Sequence, residues 1–267
     1  MSTQTAIPSV QDTWIDSSHG RLFARIWSPA VANEKAPIIL LHDSLGSVEL
    51  WRSFPLALCK ATGRRIVAYD RLGFGKSEAH PDKLALDFIA SEAENDFSTI
   101  IRQLKIAPFI VFGHSVGGGM AINCAAHLSE DCVAVITESA QAFVEDRTFA
   151  SIEEARDLFK DDSQINRLEK YHGEKTRWVL DAWIGSWLHP DFSKWSLTSV
   201  LPRVRSPALV IHGIHDEYGS PKHPIMIAEM TSAAAQLAIM DDTKHVPHRE
   251  REEDVVRLVS DFVVSLP

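Results

Sequence analysis

Ser115 stands between two glycines in the string Gly113-His114-Ser115-Val116-Gly117. An apolar run, PFIVF, precedes the string and a stretch of small residues, GGGMAINCAA, follows it. This context describes a sharp strand-to-helix turn. The G-x-S-x-G spacing removes side chains where backbone must pass close, and the turn lifts the serine hydroxyl above the end of a sheet in a strained conformation. Gly118 and Gly119 would let the following helix pack closely. The competing reading is an ordinary glycine-rich turn with an anion on the helix N-terminus. The Lys-Ser/Thr of a phosphate loop does not follow, which disfavours it.

A serine hydroxyl is a weak nucleophile near neutral pH. It needs a histidine to take its proton and a carboxylate to orient that histidine. Asp216 follows the apolar run PALVIHG and His245 follows AQLAIM. Both stand in loops after strands, in the chain order serine, acid, histidine. Glu138, at the end of CVAVITE, is the alternative acid, with a hydrogen bond to nearby backbone as its structural reading. His248 is read as a structural neighbour of His245. The spacings His212-x-x-His215 and His245-x-x-His248 lie in loops, which do not hold i,i+3 geometry, so no metal site is expected. Asp70-Arg71 reads as a loop-fixing pair.

The elements that must position these side chains are legible as alternating short apolar runs and longer helical patterns. DTWIDSSHGRLFARIWSP reads as two strands joined at Ser18-His19-Gly20. APIILLH, RRIVAYD, PFIVFGH, CVAVITE, PALVIHG and AQLAIM read as further strands. Helical patterns fall over WRSFPLALCKAT, over FIASEAENDFSTIIRQLKI, after Ser115, and over EEDVVRLVSDFVVSL. Apolar strands separated by helices imply a parallel sheet covered on both faces. Residues 141–201 carry helical patterns and no convincing strand. They read as an insertion at the carboxyl ends of the strands, a lid over a core of 1–140 and 202–267.

The 267 residues are 45% hydrophobic with a net charge of −9, a balance that argues against binding nucleic acid. The opening MSTQTAIPSVQDTW has neither the basic cluster nor the apolar segment of a secretory signal, and no run is long enough to span a membrane. Three cysteines without metal-ligand spacing fit a reduced, cytoplasmic protein. Nothing in the sequence speaks to oligomeric state.

Taken in order, HDSLGS, DRLGFGKS, GHSVGG, GIHDEYGS and KHVPHRE resemble the α/β-hydrolase superfamily, and within it esterase-like bacterial members with a helical lid. The resemblance runs from about Trp14 to Val264. It implies an eight-stranded, mostly parallel sheet with an antiparallel second strand. It makes Ser115 the nucleophile, Asp216 the acid and His245 the base, the last through H-x-P-H. It also implies an oxyanion hole from the amides of Val116 and Ser44. Two departures stand out. His42-Asp43-Ser44 replaces the usual His-Gly-x, placing a carboxylate beside the anion site, and Lys244 replaces a glycine. Asp43 is expected to cap the next helix or pair with a cation, the alternative being contact with substrate or water.

Four of the seven tryptophans, Trp178, Trp183, Trp187 and Trp195, fall in the insertion. Trp183 and Trp187, at i,i+4, would share a helix face. They either glue the insertion to the sheet or wall an apolar pocket above Ser115, favouring a small-molecule substrate with an apolar part. The leading expectation is hydrolysis of a carboxylic ester through an acyl-enzyme, with no cofactor. Carbon–carbon bond hydrolysis, cofactor-free haloperoxidase-like activity and a ligand receptor that retains the triad are the alternatives. A serine nucleophile disfavours haloalkane dehalogenation, which needs a carboxylate there.

Overall fold

The structure, a computed structural model, describes residues 7–264 and residue 266. Residues 1–6, where a secretory signal was not expected, lie outside the described residues. Eight strands form one sheet: β1 (Ser9–Ser17), β2 (Gly20–Ser28), β3 (Ile38–Leu41), β4 (Ile66–Tyr69), β5 (Phe109–His114), β6 (Cys132–Glu138), β7 (Ala208–Gly213) and β8 (Ala235–Met240). Their spatial order is β1-β2-β4-β3-β5-β6-β7-β8. β2 runs antiparallel to both neighbours and the other pairings are parallel.

Side-chain alternation explains why the central strands read as unbroken apolar runs. On β5, Phe109 and Val111 enter one buried cluster while Ile110 and Phe112 enter the cluster on the opposite face. Helices α1 (Phe54–Thr62) and α10 (Glu252–Val264) cover the Ile110 face. Helices α2 (Phe88–Ser91), α3 (Asp96–Gln103), α4 (Val116–His127) and α8 (Lys222–Met230) contribute to the other. A sheet covered on both faces has no solvated side to mark with polar residues.

Between β6 and β7 the chain forms α5 (Asp146–Leu158), α6 (Asp162–His172) and α7 (Thr176–Trp187). Short α9 (Pro247–Glu250) follows the loop after β8. Among the described residues no helix is long and apolar enough to cross a membrane.

The helical pattern over 88–106 does not form one helix. It breaks between α2 and α3 at residues 92–95, where Asn95 leaves helical geometry (φ −95°, ψ −99°); Glu92, still helical, is buried there and its carboxyl accepts from the Tyr69 hydroxyl. Burial, with Asp96 nearby, pushes the Glu92 carboxyl up to about 8. A carboxyl raised in the folded state contributes stability that is complete below its unfolded value and is lost as pH rises through the folded one. Glu92→Gln should therefore gain on the wild type by a few kcal/mol between pH 5 and pH 8.5. Urea unfolding at both pH values would test this; an unchanged difference would contradict the assignment.

Candidate active site

The chain leaves β5 at His114 and enters α4 at Val116, so Ser115 alone makes the turn, with φ 55° and ψ −124°. Few non-glycine residues adopt such a conformation. Close backbone approach explains the flanking glycines. A Cβ on Gly113 would lie 2.0 Å from the Gly117 carbonyl oxygen, and one on Gly117 would lie 2.2 Å from the Leu41 oxygen on β3. A Cβ on Gly118 would meet the Ala140 side chain at 2.4 Å. The Ser115 amide donates to the Glu138 carbonyl on β6 at 2.8 Å.

Three chain segments meet here. Ser115 Oγ lies 3.0 Å from His245 Nε2, and His245 Nδ1 lies 2.9 Å from each oxygen of Asp216. Asp216 is fully buried in the loop after β7, where Oδ1 accepts from the amides of Tyr218 (2.7 Å) and Gly219 (3.1 Å). Burial alone would raise its pKa. The facing His245 outweighs that and holds the carboxyl below the ordinary aspartate value. A proton leaving the hydroxyl thus has an imidazole to receive it, and the resulting imidazolium has a carboxylate to stabilise it.

Glu138, the alternative acid, does not face His245. Its Oε2 lies 2.5 Å from Nδ1 of His248. Burial opposes its charge, but His248 and His114 keep its carboxyl below the usual glutamate value. Asp43 Oδ1 caps the Leu45 amide at 2.8 Å, and Oδ2 lies 3.2 Å from Nδ1 of His114, a residue of the serine motif itself. Asp70 and Arg71 act separately rather than as a pair. Asp70 accepts the amides of Val48 (2.6 Å) and Lys76 (2.7 Å), while Arg71 donates to the Asp43 carbonyl at 3.0 Å.

The amides of Ser44 and Val116 carry no hydrogen bond to another described residue. Val116 opens α4 directly after Ser115, and Ser44 lines the cavity above it. That cavity encloses about 270 Å³ and is walled by Leu45, Ile152, Trp183, Trp187 and Tyr218. Trp178 and Trp195 are elsewhere. Trp178 packs edge-on to Phe74 with its Nε1 bonded to the Asp82 carbonyl, and Trp195 stacks on Phe192.

Sequence reasoning missed Gln141 and Tyr218. Gln141 Oε1 lies 3.5 Å from Ser115 Oγ, and the Tyr218 ring sits 4.7 Å from that of His245. No local motif marks either residue. Also unforeseen is how α5 is tied to the acid loop. Arg147 donates to the Asp216 carbonyl (3.1 Å), Thr148 to that of Tyr218 (2.6 Å) and Ser151 to that of Glu217 (2.6 Å).

Among the described residues, His114, Glu138 and His248 bring metal-type ligand atoms within 4.8 Å of one another. The two i,i+3 spacings do not lie wholly in loops, since His212 lies on β7 and His248 on α9, and neither spacing brings its own two histidines to one ligand site. His212 binds the Gly219 carbonyl at 3.1 Å, His215 is exposed beside Asp242, and His245 and His248 serve different carboxylates.

A profile of the α/β hydrolase fold matches residues 36–182. The chain belongs to the α/β hydrolase fold family. It is similar to Serine hydrolase BPHL of Homo sapiens, 26% identical over 241 residues, covering 85% of this chain and 78% of that one. It is also similar to Bifunctional esterase/perhydrolase DCH of Acinetobacter calcoaceticus, 27% identical over 230 residues, 73% of this chain and 79% of that one. Matches to several further curated relatives span only 27–29% of those proteins' lengths. In fold it resembles the enol-lactonase of Burkholderia xenovorans LB400, with a TM-score of 0.74, 19% identity, and coverage of 95% of this chain and 100% of that one.

The crowding at the turn yields a paired prediction. Gly113→Ala should destabilise the protein by about 3 kcal/mol or more, lowering the melting temperature by roughly 6–12 °C. At Gly185 in α7 an added Cβ meets nothing within 4 Å. Gly185→Ala should stabilise by about 0.5–1 kcal/mol. Thermal unfolding of both variants is the check.

Proposed function

We propose that the protein is a serine hydrolase that cleaves carboxylic esters with an apolar part. The observation that carries this reading is the unbroken contact chain from Ser115 Oγ through His245 to Asp216, opening onto an apolar cavity. Ser115 Oγ attacks the ester carbonyl as His245 Nε2 takes its proton. The tetrahedral oxyanion is met by the amides of Val116 and Ser44. His245 then returns the proton to the departing alcohol. The acyl-enzyme is hydrolysed by a water that the same imidazole activates, and Ser115 is regenerated. No step draws on a cofactor.

Helices α5 to α7 act as the lid over this chemistry, with Trp183 and Trp187 as the apolar wall for the substrate. A cavity of about 270 Å³ is at the small end of ligand pockets, which run to about 1,000 Å³. Short acyl chains fit it better than long ones. The similarity to an esterase/perhydrolase supports the ester reading. Perhydrolysis would use the same acyl intermediate, with hydrogen peroxide attacking in place of water.

A series of p-nitrophenyl esters tests the assignment. Specificity constants should fall as the acyl chain outgrows the cavity, and Ser115→Ala should lose turnover by at least about 10⁴-fold while remaining folded. Turnover at the wild-type level in that variant would sink the proposal. Thermal shifts with ligand but no turnover in the wild type would point to a receptor instead.

The acid is tested separately. Asp216→Asn should lower turnover by up to about four orders of magnitude, because the base loses its tautomer and its counter-charge. Glu138→Gln, which leaves the Asp216–His245 contact untouched, should cost far less. The reverse ranking in two folded variants would move the acid to β6.

A further inference from the structure

The turn that presents Ser115 holds a second histidine whose protonation can be read from its neighbours. His114 is 1% exposed. Its Nε2 lies 2.8 Å from the backbone carbonyl oxygen of His245, and its Nδ1 lies 3.2 Å from Asp43 Oδ2. A carbonyl oxygen has no hydrogen to give, and neither has an ionised carboxylate. With Asp43 ionised, a bare Nδ1 would set lone pair against lone pair, as a bare Nε2 would against the carbonyl, so the ring beside an ionised Asp43 carries a hydrogen on both nitrogens.

The same count gives the opposite result at three other buried histidines. His42 Nε2 accepts from the Arg71 amide while Nδ1 donates to the Asp43 carbonyl. His172 Nδ1 accepts from the Gly75 amide while Nε2 donates to the Leu45 carbonyl. His223 Nδ1 accepts from the Ala142 amide while Nε2 donates to Glu145. One donor and one acceptor make a neutral ring, and burial pushes the pKa of all three down, that of His172 to about 4.

We propose that His114 is a permanently protonated positioning residue. As a buried imidazolium it neutralises the Asp43 carboxylate beside the oxyanion site and ties the loop after β3 to the loop that carries His245. This accounts for the departure at Asp43. A carboxylate there would oppose a developing oxyanion, but its charge is matched within the protein by the histidine of the motif itself. The second bond holds the backbone of His245 and so the ring that must reach Ser115.

Every charged group around the pair favours this state or is outweighed. Burial opposes the charge on His114, yet Asp43 and then Glu138 on β6 raise its pKa above the ordinary histidine value. Burial likewise opposes ionisation of Asp43, but His114 and then Arg249 hold its carboxyl far below the usual range. His248 on α9 faces the same ring edge-on, and its hydrogen bond is to Glu138. An imidazolium has no lone pair for a metal, so with His114 protonated the trio of His114, Glu138 and His248 offers no metal site.

The catalytic consequence rests on the serine-hydrolase reading; the protonation state does not. Nitrogen-15 NMR of histidine-labelled protein reads the latter directly. At pH 7.5, a mildly alkaline condition at which an ordinary histidine (about 6.5) is mostly neutral, both His114 nitrogens should give the imidazolium signature. His42, His172 and His223 should give neutral tautomers. Asp43→Asn should convert His114 to a neutral ring, and that change also assigns the signal if His114→Gln fails to fold. A neutral His114 in the wild type overturns the proposal whatever the protein catalyses.

Kinetics test the consequence. His114→Gln leaves Asp43 uncompensated and should lower kcat for a p-nitrophenyl ester about tenfold or more, with little change in KM. Adding Asp43→Asn to that variant should restore most of the loss, because neither charge then remains. A double variant no better than His114→Gln would overturn the charge-matching role. The same imidazolium signature in Ser115→Ala separates this proposal from the nucleophile assignment.

Discussion

A single residue, Ser115, must hold φ 55° and ψ −124° for the hydroxyl to stand above the sheet, and much of the molecule is arranged around that demand. A conformation of this kind costs about 1–3 kcal/mol and persists only where its surroundings over-determine it. They do so here. The Ser115 amide is fixed to β6, its carbonyl accepts from Gly118, and Gly117 leaves α4 close against β3. The parallel sheet is thus more than a scaffold. The register of β3, β5 and β6 sets the height and direction of one side chain.

A second constraint is electrostatic. Three buried or half-buried carboxylates near the turn each face a histidine: Asp216 with His245, Asp43 with His114, and Glu138 with His248. Each carboxylate is held below its ordinary pKa despite burial. Removing the histidine of such a pair leaves a carboxylate in or near the interior without its partner. Only the first pair touches Ser115 Oγ. The other two set the polarity and spacing of the ground on which the first stands.

Much of this was legible in the chain. Ser115, Asp216 and His245 stand in short strand-end strings, where local pattern and spatial position coincide. The hairpin of β1 and β2 and the two-faced core likewise follow from short-range signals, while the antiparallel place of β2 in the sheet was implied only by the family resemblance. What escaped was set by contacts between distant segments. Nothing local to Glu138 announces His248, which is 110 residues away in sequence. Nothing near Glu92 in the chain announces Tyr69 of β4, whose hydroxyl donates to it. Gln141 and Tyr218 acquire meaning only when the loops after β6 and β7 converge on Ser115. Asp43 looked anomalous because its counter-charge lies in the nucleophile motif rather than beside it.

Covalent trapping decides whether Ser115 is a nucleophile activated by His245. The intact protein would be treated with a fluorophosphonate at neutral pH and the adduct located by peptide mass spectrometry. One modified residue, Ser115, is expected, with strong suppression of labelling in folded His245→Ala. An adduct on another residue, or labelling of Ser115 at an undiminished rate without His245, would contradict it.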